Sequence, residues 1–305
     1  MLSPLSRRRF LQASAASLSL AATDLTLRQV WAADDKQPRK LAHCLSDETY
    51  SLRDLILGGK LTLLTAAALH KKLDIKGVSL NDMYFKSWDK AYLDKILDSF
   101  KANDRVITCL IMEGNLATAN EAARRKQIDS NTAKLKAAGY LGIPVVRMNL
   151  GQVGPGEDNR KEGVDRCIAA FKEMLPLARD LGIRITIENH GGVSGTVGGI
   201  LAVINGTDPK WVGSLLDFGN PPVHERPEVF AKLAPYAYHC HAKLEDFKED
   251  GEATNADYGK LLGILKARNY PGAVSIEWEG RNHKAVEGVK LTRALILRHW
   301  PELPN

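Results

Sequence analysis

The stretch Leu181–Gly192, LGIRITIENHGG, decides how the rest of the chain is read. As a strand it sends Ile183, Ile185 and Ile187 to one face and Arg184, Thr186, Glu188 and His190 to the other. One face is apolar and the other carries chemistry. Three later runs repeat the pattern with polar residues gathered toward the carboxyl end of each: Ser214–Asn220 (SLLDFGN), Tyr238–Glu245 (YHCHAKLE) and Ala273–Gly280 (AVSIEWEG). On the polar faces lie Asp217 and Asn220, then His239, His241 and Lys243, then Ser275, Glu277 and Glu279.

Upstream, Leu41–Leu45, Gly77–Met83, Arg105–Met112 and Pro144–Leu150 read as four earlier strands, each followed by a helix-period segment. The helices are expected over about 51–73, 89–102, 119–138, 160–181, 196–204, 227–233, 258–267 and 284–299. Gly142, Gly182 and Gly272 stand where helix stops precede strands. Eight alternations without a linker predict an α/β fold, a (β/α)8 TIM barrel over residues 38–305 as one domain, with a doubly wound open sheet as the rival. In a barrel the carboxyl ends of the strands carry the active site, and the polar residues above fall there.

The first residues differ in kind. Ser6-Arg7-Arg8-Arg9-Phe10-Leu11 precedes an Ala-, Ser- and Leu-rich run ending at Val30-Trp31-Ala32, so residues 1–32 read as a twin-arginine signal peptide. That predicts use of the twin-arginine export machinery and a periplasmic or secreted protein, exported folded. Loss of Arg7, Arg8, Arg9 and Arg28 against Asp24 lowers the formal charge from +6 to about +3, too mild a balance to argue for nucleic acid. No later stretch is apolar enough to span a membrane. Cys44, Cys109, Cys167 and Cys240 form no close-spaced pair and read as buried thiols.

Glu188, Asp217, His241 and Glu277 are the expected metal ligands. Three carboxylates aimed into one lumen need a counter-ion, since burying unpaired charge is costly. Three carboxylate oxygens and one imidazole nitrogen suit one divalent cation, Mn2+ foremost, then Co2+, Mg2+ or Zn2+. The plain alternative is a set of structural ion pairs with Arg147, Arg184 and Lys243. His239, one step deeper than His241, reads as a partner behind the ligands. His190, Asn220, Lys243, Arg147 and Glu279 are the candidates for substrate contact, His43 and Glu113 weaker candidates for the rim, and Trp278 a packing residue against the helices.

The order IEN, LDFGN, HCHAK, SIE resembles the xylose isomerase-like barrel superfamily, in particular its sugar isomerase and epimerase branch with the ketose 3-epimerases. The resemblance implies one divalent metal on Glu188, Asp217, His241 and Glu277, with Glu188 and Glu277 as the catalytic acid and base on opposite faces of a sugar. It implies a small carbohydrate substrate and a metal-dependent isomerase or epimerase working by proton abstraction and an enediolate. The runner-up is a lyase or hydratase of 3-keto-glycosides, or an inosose dehydratase-like enzyme. A barrel that binds carbohydrate without turnover is a third reading. Three departures stand out. Asn220 replaces the substrate histidine of the ketose 3-epimerases, and Phe247 replaces their arginine. His190 stands where xylose isomerases carry lysine. The further histidines of the trinuclear zinc endonucleases are missing, which argues against DNA as substrate.

Overall fold

In the computed structural model, which describes residues 36–154 and 160–305, the alternating runs form eight parallel strands closed into a barrel in sequence order. The strands are β1 Leu45–Glu48, β2 Gly77–Asn81, β3 Val106–Met112, β4 Val145–Met148, β5 Arg184–Glu188, β6 Val212–Asp217, β7 Ala237–Leu244 and β8 Val274–Trp278. Closure is direct: β1 pairs in parallel with β8 through Leu45↔Val274, Ser46↔Ser275 and Asp47↔Ile276. The open-sheet rival is thereby excluded. The twin-arginine stretch, residues 1–32, lies outside the described residues.

The helices follow each strand: α1 Arg53–Leu57 and α2 Leu63–Lys72 after β1, then α3 Lys90–Ala102, α4 Glu121–Tyr140, α5 Arg160–Leu181, α6 Val197–Asn205, α7 Arg226–Leu233, α8 Tyr258–Ala267 and α9 Ala285–His299. Side-chain caps start several of them. Asp89 accepts from Tyr92 N at 2.8 Å, Asn120 from Ala123 N at 2.9 Å and Asp257 from Lys260 N at 2.9 Å. Each cap satisfies an otherwise orphaned donor and is worth about 1 kcal/mol. Gly142 and Gly182 end α4 and α5 at φ +74° and +71°, the left-handed conformation expected of a stop.

Two expectations need correction. Gly272 is not the stop after α8; Asn269, at φ 50°, takes that conformation. Gly272 is needed for space, because a Cβ there would lie 2.3 Å from the carbonyl oxygen of Tyr238. The first strand begins at Leu45, not Leu41. Leu41 instead packs with Cys109, Ile111, Val145 and Leu215, a small apolar cluster distinct from the main core between strands and helices. His43 therefore sits before β1, at the amino-terminal end of the barrel, where Nδ1 lies 3.2 Å from Gly272 O and the ring faces Trp300 at 5.7 Å. It is no rim residue.

The main core fills the space between the barrel and its helices. Trp278, 1% exposed, points outward from β8 and stacks on Phe247 at 5.6 Å. Gly288 of α9 makes room for the indole, since a Cβ there would come within 2.2 Å of it. The four cysteines are buried free thiols, as their spacing suggested. No helix among the described residues is long and apolar enough to cross a membrane.

Candidate metal centre and active site

Strands β5 to β8 each deliver one polar side chain to the carboxyl end of the lumen. Glu188 and Asp217 are the last residues of β5 and β6. Asp217 stands in register with His241, and Glu277 with Lys243. Alternation along each strand buries the intervening Ile187, Leu216, Cys240 and Ile276 on the helix side. The pleat thus brings all four expected ligands to one place: Glu188, Asp217, His241 and Glu277 each offer a donor atom within 4.8 Å of the others, and all are buried.

The environments of the carboxylates differ. Arg147, on β4, donates from Nε to Glu188 Oε2 at 2.9 Å and from Nη2 to the same oxygen, while its Nη1 donates to Glu113 Oε1 at 2.6 Å. Burial alone would raise the Glu188 carboxyl, but the Arg147 guanidinium, with His241 beside it, outweighs burial and holds it well below its usual range. Glu277 has no such cation at contact. Burial first, and the Glu188 charge second, push its carboxyl up to about 8. Burial, then Glu277 and Glu188, also raise Asp217 well above its ordinary value.

Several donor atoms are left over. Asp217 Oδ1 accepts from Gly219 N at 2.7 Å and Asn220 N at 2.6 Å, which fixes the carboxyl and leaves Oδ2 buried without a partner. Glu277 Oε2 and His241 Nε2 are orphaned in the same way. His241 Nδ1 lies 3.0 Å from Glu188 Oε1 and 3.6 Å from Glu277 Oε2. Buried polar atoms normally find partners, so orphans converging on one point ask for a cation. The residues therefore fit a divalent metal: oxygen-rich, with one imidazole and no thiolate.

Around this cluster a cavity of about 180 Å³ opens, lined among others by Arg147, His190, Glu113 and Glu279. Lys243 pairs with Glu279 at 2.9 Å and donates to Asn220 Oδ1 at 3.3 Å. Burial opposes its charge, but Glu277, Asp217 and Glu279 together raise it above the ordinary lysine value. His190 is exposed at the mouth. Glu113, half exposed, binds Arg147 and accepts from Asn149 Nδ2 at 3.1 Å. Arg147 lines the cavity, yet the contacts it makes are with carboxylates, so its effect is to hold Glu188. His239 packs edge-on to His241 at 5.6 Å, and its Nε2 lies 2.9 Å from Ser79 Oγ. It belongs to a hydrogen-bonded layer with Ser79, Thr108 and Ser46 beneath the cluster. Burial, with His241 second, depresses its pKa well below the usual imidazole value. Arg184, expected on the lumen face, lies at the amino end of β5, over the Tyr238 ring at 4.7 Å.

Several lumen residues carried no signal in the sequence, Glu48 and Asn81 among those that line this cavity. Glu48, 1% exposed at the end of β1, lines the same cavity and accepts from Tyr50 N at 2.6 Å. Burial raises its carboxyl well above the ordinary value.

Fold and donor cluster together define a (β/α)8 barrel with a candidate metal centre at the carboxyl ends of strands five to eight. The chain belongs to the xylose isomerase-like TIM barrel family, whose pattern it matches over residues 67–295. Among characterised and uncharacterised relatives, it is 25% identical over 228 residues to an uncharacterised protein of Methanocaldococcus jannaschii, covering 70% of this chain and 75% of that one. It is 39% identical over 57 residues to a 3'-dehydrocarminate deglycosidase alpha subunit from a Microbacterium species, covering 19% of this chain and 16% of that one. A solved D-tagatose 3-epimerase-like protein superposes with a TM-score of 0.68 at 18% identity, over 84% of this chain and 98% of its own.

Proposed function

We propose that this protein is a divalent-metal-dependent sugar isomerase or epimerase that abstracts a proton beside the carbonyl of an unphosphorylated sugar or keto sugar. The observation that carries the reading is the convergence of Glu188, Asp217, His241 and Glu277, with orphaned donor atoms, on the floor of a cavity open at the strand ends. A bound cation, Mn2+ foremost, would supply Lewis acidity toward a carbonyl and its neighbouring hydroxyl. Glu188 and Glu277 are the general acid and base. One removes the C–H proton to give an enediolate; the other returns a proton to the opposite face for epimerisation, or a proton goes to the adjacent carbon for isomerisation. Arg147 keeps Glu188 placed and favours its ionised form before the proton moves. Lys243, held by Glu279 and Asn220, offers N–H donors to sugar hydroxyls near the mouth, and His190 lines the cavity there.

A second reading shares the first step. In a 3-keto-glycoside, the electron pair left at C2 can form the C1–C2 double bond and expel the C1 oxygen, which takes the acid's proton and leaves as an alcohol. The similarity to the deglycosidase subunit supports this lyase reading, as do Asn220 and Phe247 in place of the epimerase histidine and arginine. The twin-arginine reading of residues 1–32 supports an unphosphorylated substrate met outside the cytoplasm. The test is solvent exchange: manganese-loaded protein in D2O with free ketoses and with 3-keto-glycosides. Deuterium entering beside the carbonyl supports proton abstraction, and the product distinguishes epimer from enone. Binding without any exchange would leave only a carbohydrate-binding barrel.

A further inference from the structure

The loops after β5 and β6 enclose a second cavity of about 290 Å³, and His190 lines both this space and the one over the donor cluster. A polar track joins the two: Asn220 borders the second cavity and accepts from Lys243, which pairs with Glu279 on the wall of the first. Asn220 Nδ2 is buried in the cavity wall without a partner. The remaining lining is mixed, with the Ser194 and Glu225 side chains against Pro222 and Val229. A lining of both polar and apolar side chains suits the hydroxyls and C–H faces of a second sugar ring better than a flat aromatic group.

Building on the proton-abstraction reading above, we infer that the reacting sugar occupies the cavity over Glu188 and Glu277 while the second cavity takes the second ring of a disaccharide-sized glycoside. A free monosaccharide fills only the first cavity. The natural substrate class is then an oxidised glycoside carrying a sugar leaving group, and not a free ketose.

Gly195 gives the probe. It lines the second cavity, its φ lies outside the left-handed region, and a Cβ there would meet nothing within 4 Å. Gly195→Trp therefore meets no clash at Cβ and sets a bulky side chain on the wall of the cavity. Calorimetry on manganese-loaded protein with unoxidised cellobiose, lactose and sucrose, against the matching methyl glycosides, reads binding independently of turnover. At least one disaccharide is expected to bind about tenfold more tightly than its methyl glycoside. Gly195→Trp should erase that advantage and leave methyl glycoside binding unchanged. No preference for any disaccharide in the wild type would overturn the inference, whatever the fate of the variant; so would a preference that survives Gly195→Trp. Failure of deuterium exchange with every keto sugar, alongside a disaccharide preference, would remove the catalytic reading and leave the second subsite standing.

Discussion

Glu188 and Glu277 are the same residue type in one cavity, and their surroundings drive them apart. Arg147 contacts the first at 2.9 Å, while the second has His241 Nδ1 at 3.6 Å and no guanidinium. Glu277→Gln keeps shape and burial and removes only the proton-accepting oxygen. It should lower the rate of solvent exchange by about 10²–10⁴-fold, the usual share of general acid–base catalysis, with the melting temperature held or raised. Wild-type exchange in that variant would remove Glu277 from the proton path. Arg147→Met tests the opposite member. It strands the Glu188 carboxylate without its partner, and breaking a buried pair costs about 3–5 kcal/mol. Urea unfolding of the metal-free variant should show a loss of that order, lessened by added Mn2+. Stability equal to wild type would mean Glu188 does not depend on this guanidinium.

At the scale of elements, the ligand-bearing strands are legible in sequence because apolar residues dominate the helix-side face of each, Ser214 of β6 being a polar exception that bonds Leu233 O at 2.9 Å. Ile183, Ile185 and Ile187 set the phase of β5, and the phase aims Glu188 inward. β1 lacks that contrast. Asp47 on its outer face is buried against His70 of α2 at 2.9 Å, so polar residues occupy both faces of Leu45–Glu48. The more apolar run Leu41–Leu45 draws the reading four residues upstream and hides Glu48. Asn220 in place of the epimerase histidine is visible in sequence, but its unpartnered Nδ2 and the cavity beside it depend on how two loops fold together. β8 is also anchored from outside. Trp278, one residue beyond Glu277, lies against Gly288 of α9 with no room for a methyl group. Gly288→Ala forces backbone or indole to shift, an overpacking that costs about 1–3 kcal/mol even after the gain in helix propensity. The check is a lowered melting temperature together with a lowered exchange rate, since the displaced strand carries Glu277. A melting temperature at or above that of the wild type would show that α9 can slide to accept the methyl.

Across the whole molecule, the barrel concentrates buried negative charge at one end, where burial makes it sensitive to both pH and cations. Glu277 is raised from an ordinary 4.5 to about 8, and Asp217 is raised as well. For groups whose folded pKa exceeds the unfolded one, the stability they lend is complete below the unfolded value, near pH 4.5, and is lost as pH climbs through about 8. Glu188 acts with the opposite sign: its depressed pKa contributes above its ordinary value and is lost only in acid. Metal-free protein should therefore melt at progressively lower temperature from about pH 5.5 to pH 9. A divalent cation reverses the trend, because it binds the deprotonated carboxylates of the folded state. At about 100 times its dissociation constant it adds roughly 2.7 kcal/mol, or several degrees for a domain of this size, and the gain should be larger at pH 8.5 than at pH 6. Calorimetric melts with EDTA and with Mn2+ across that range decide the matter. Melting curves that ignore both cation and pH would mean that these carboxylates are neutralised by the chain's own cations, Arg147 and Lys243, and that the strand ends were built as a structural ion network.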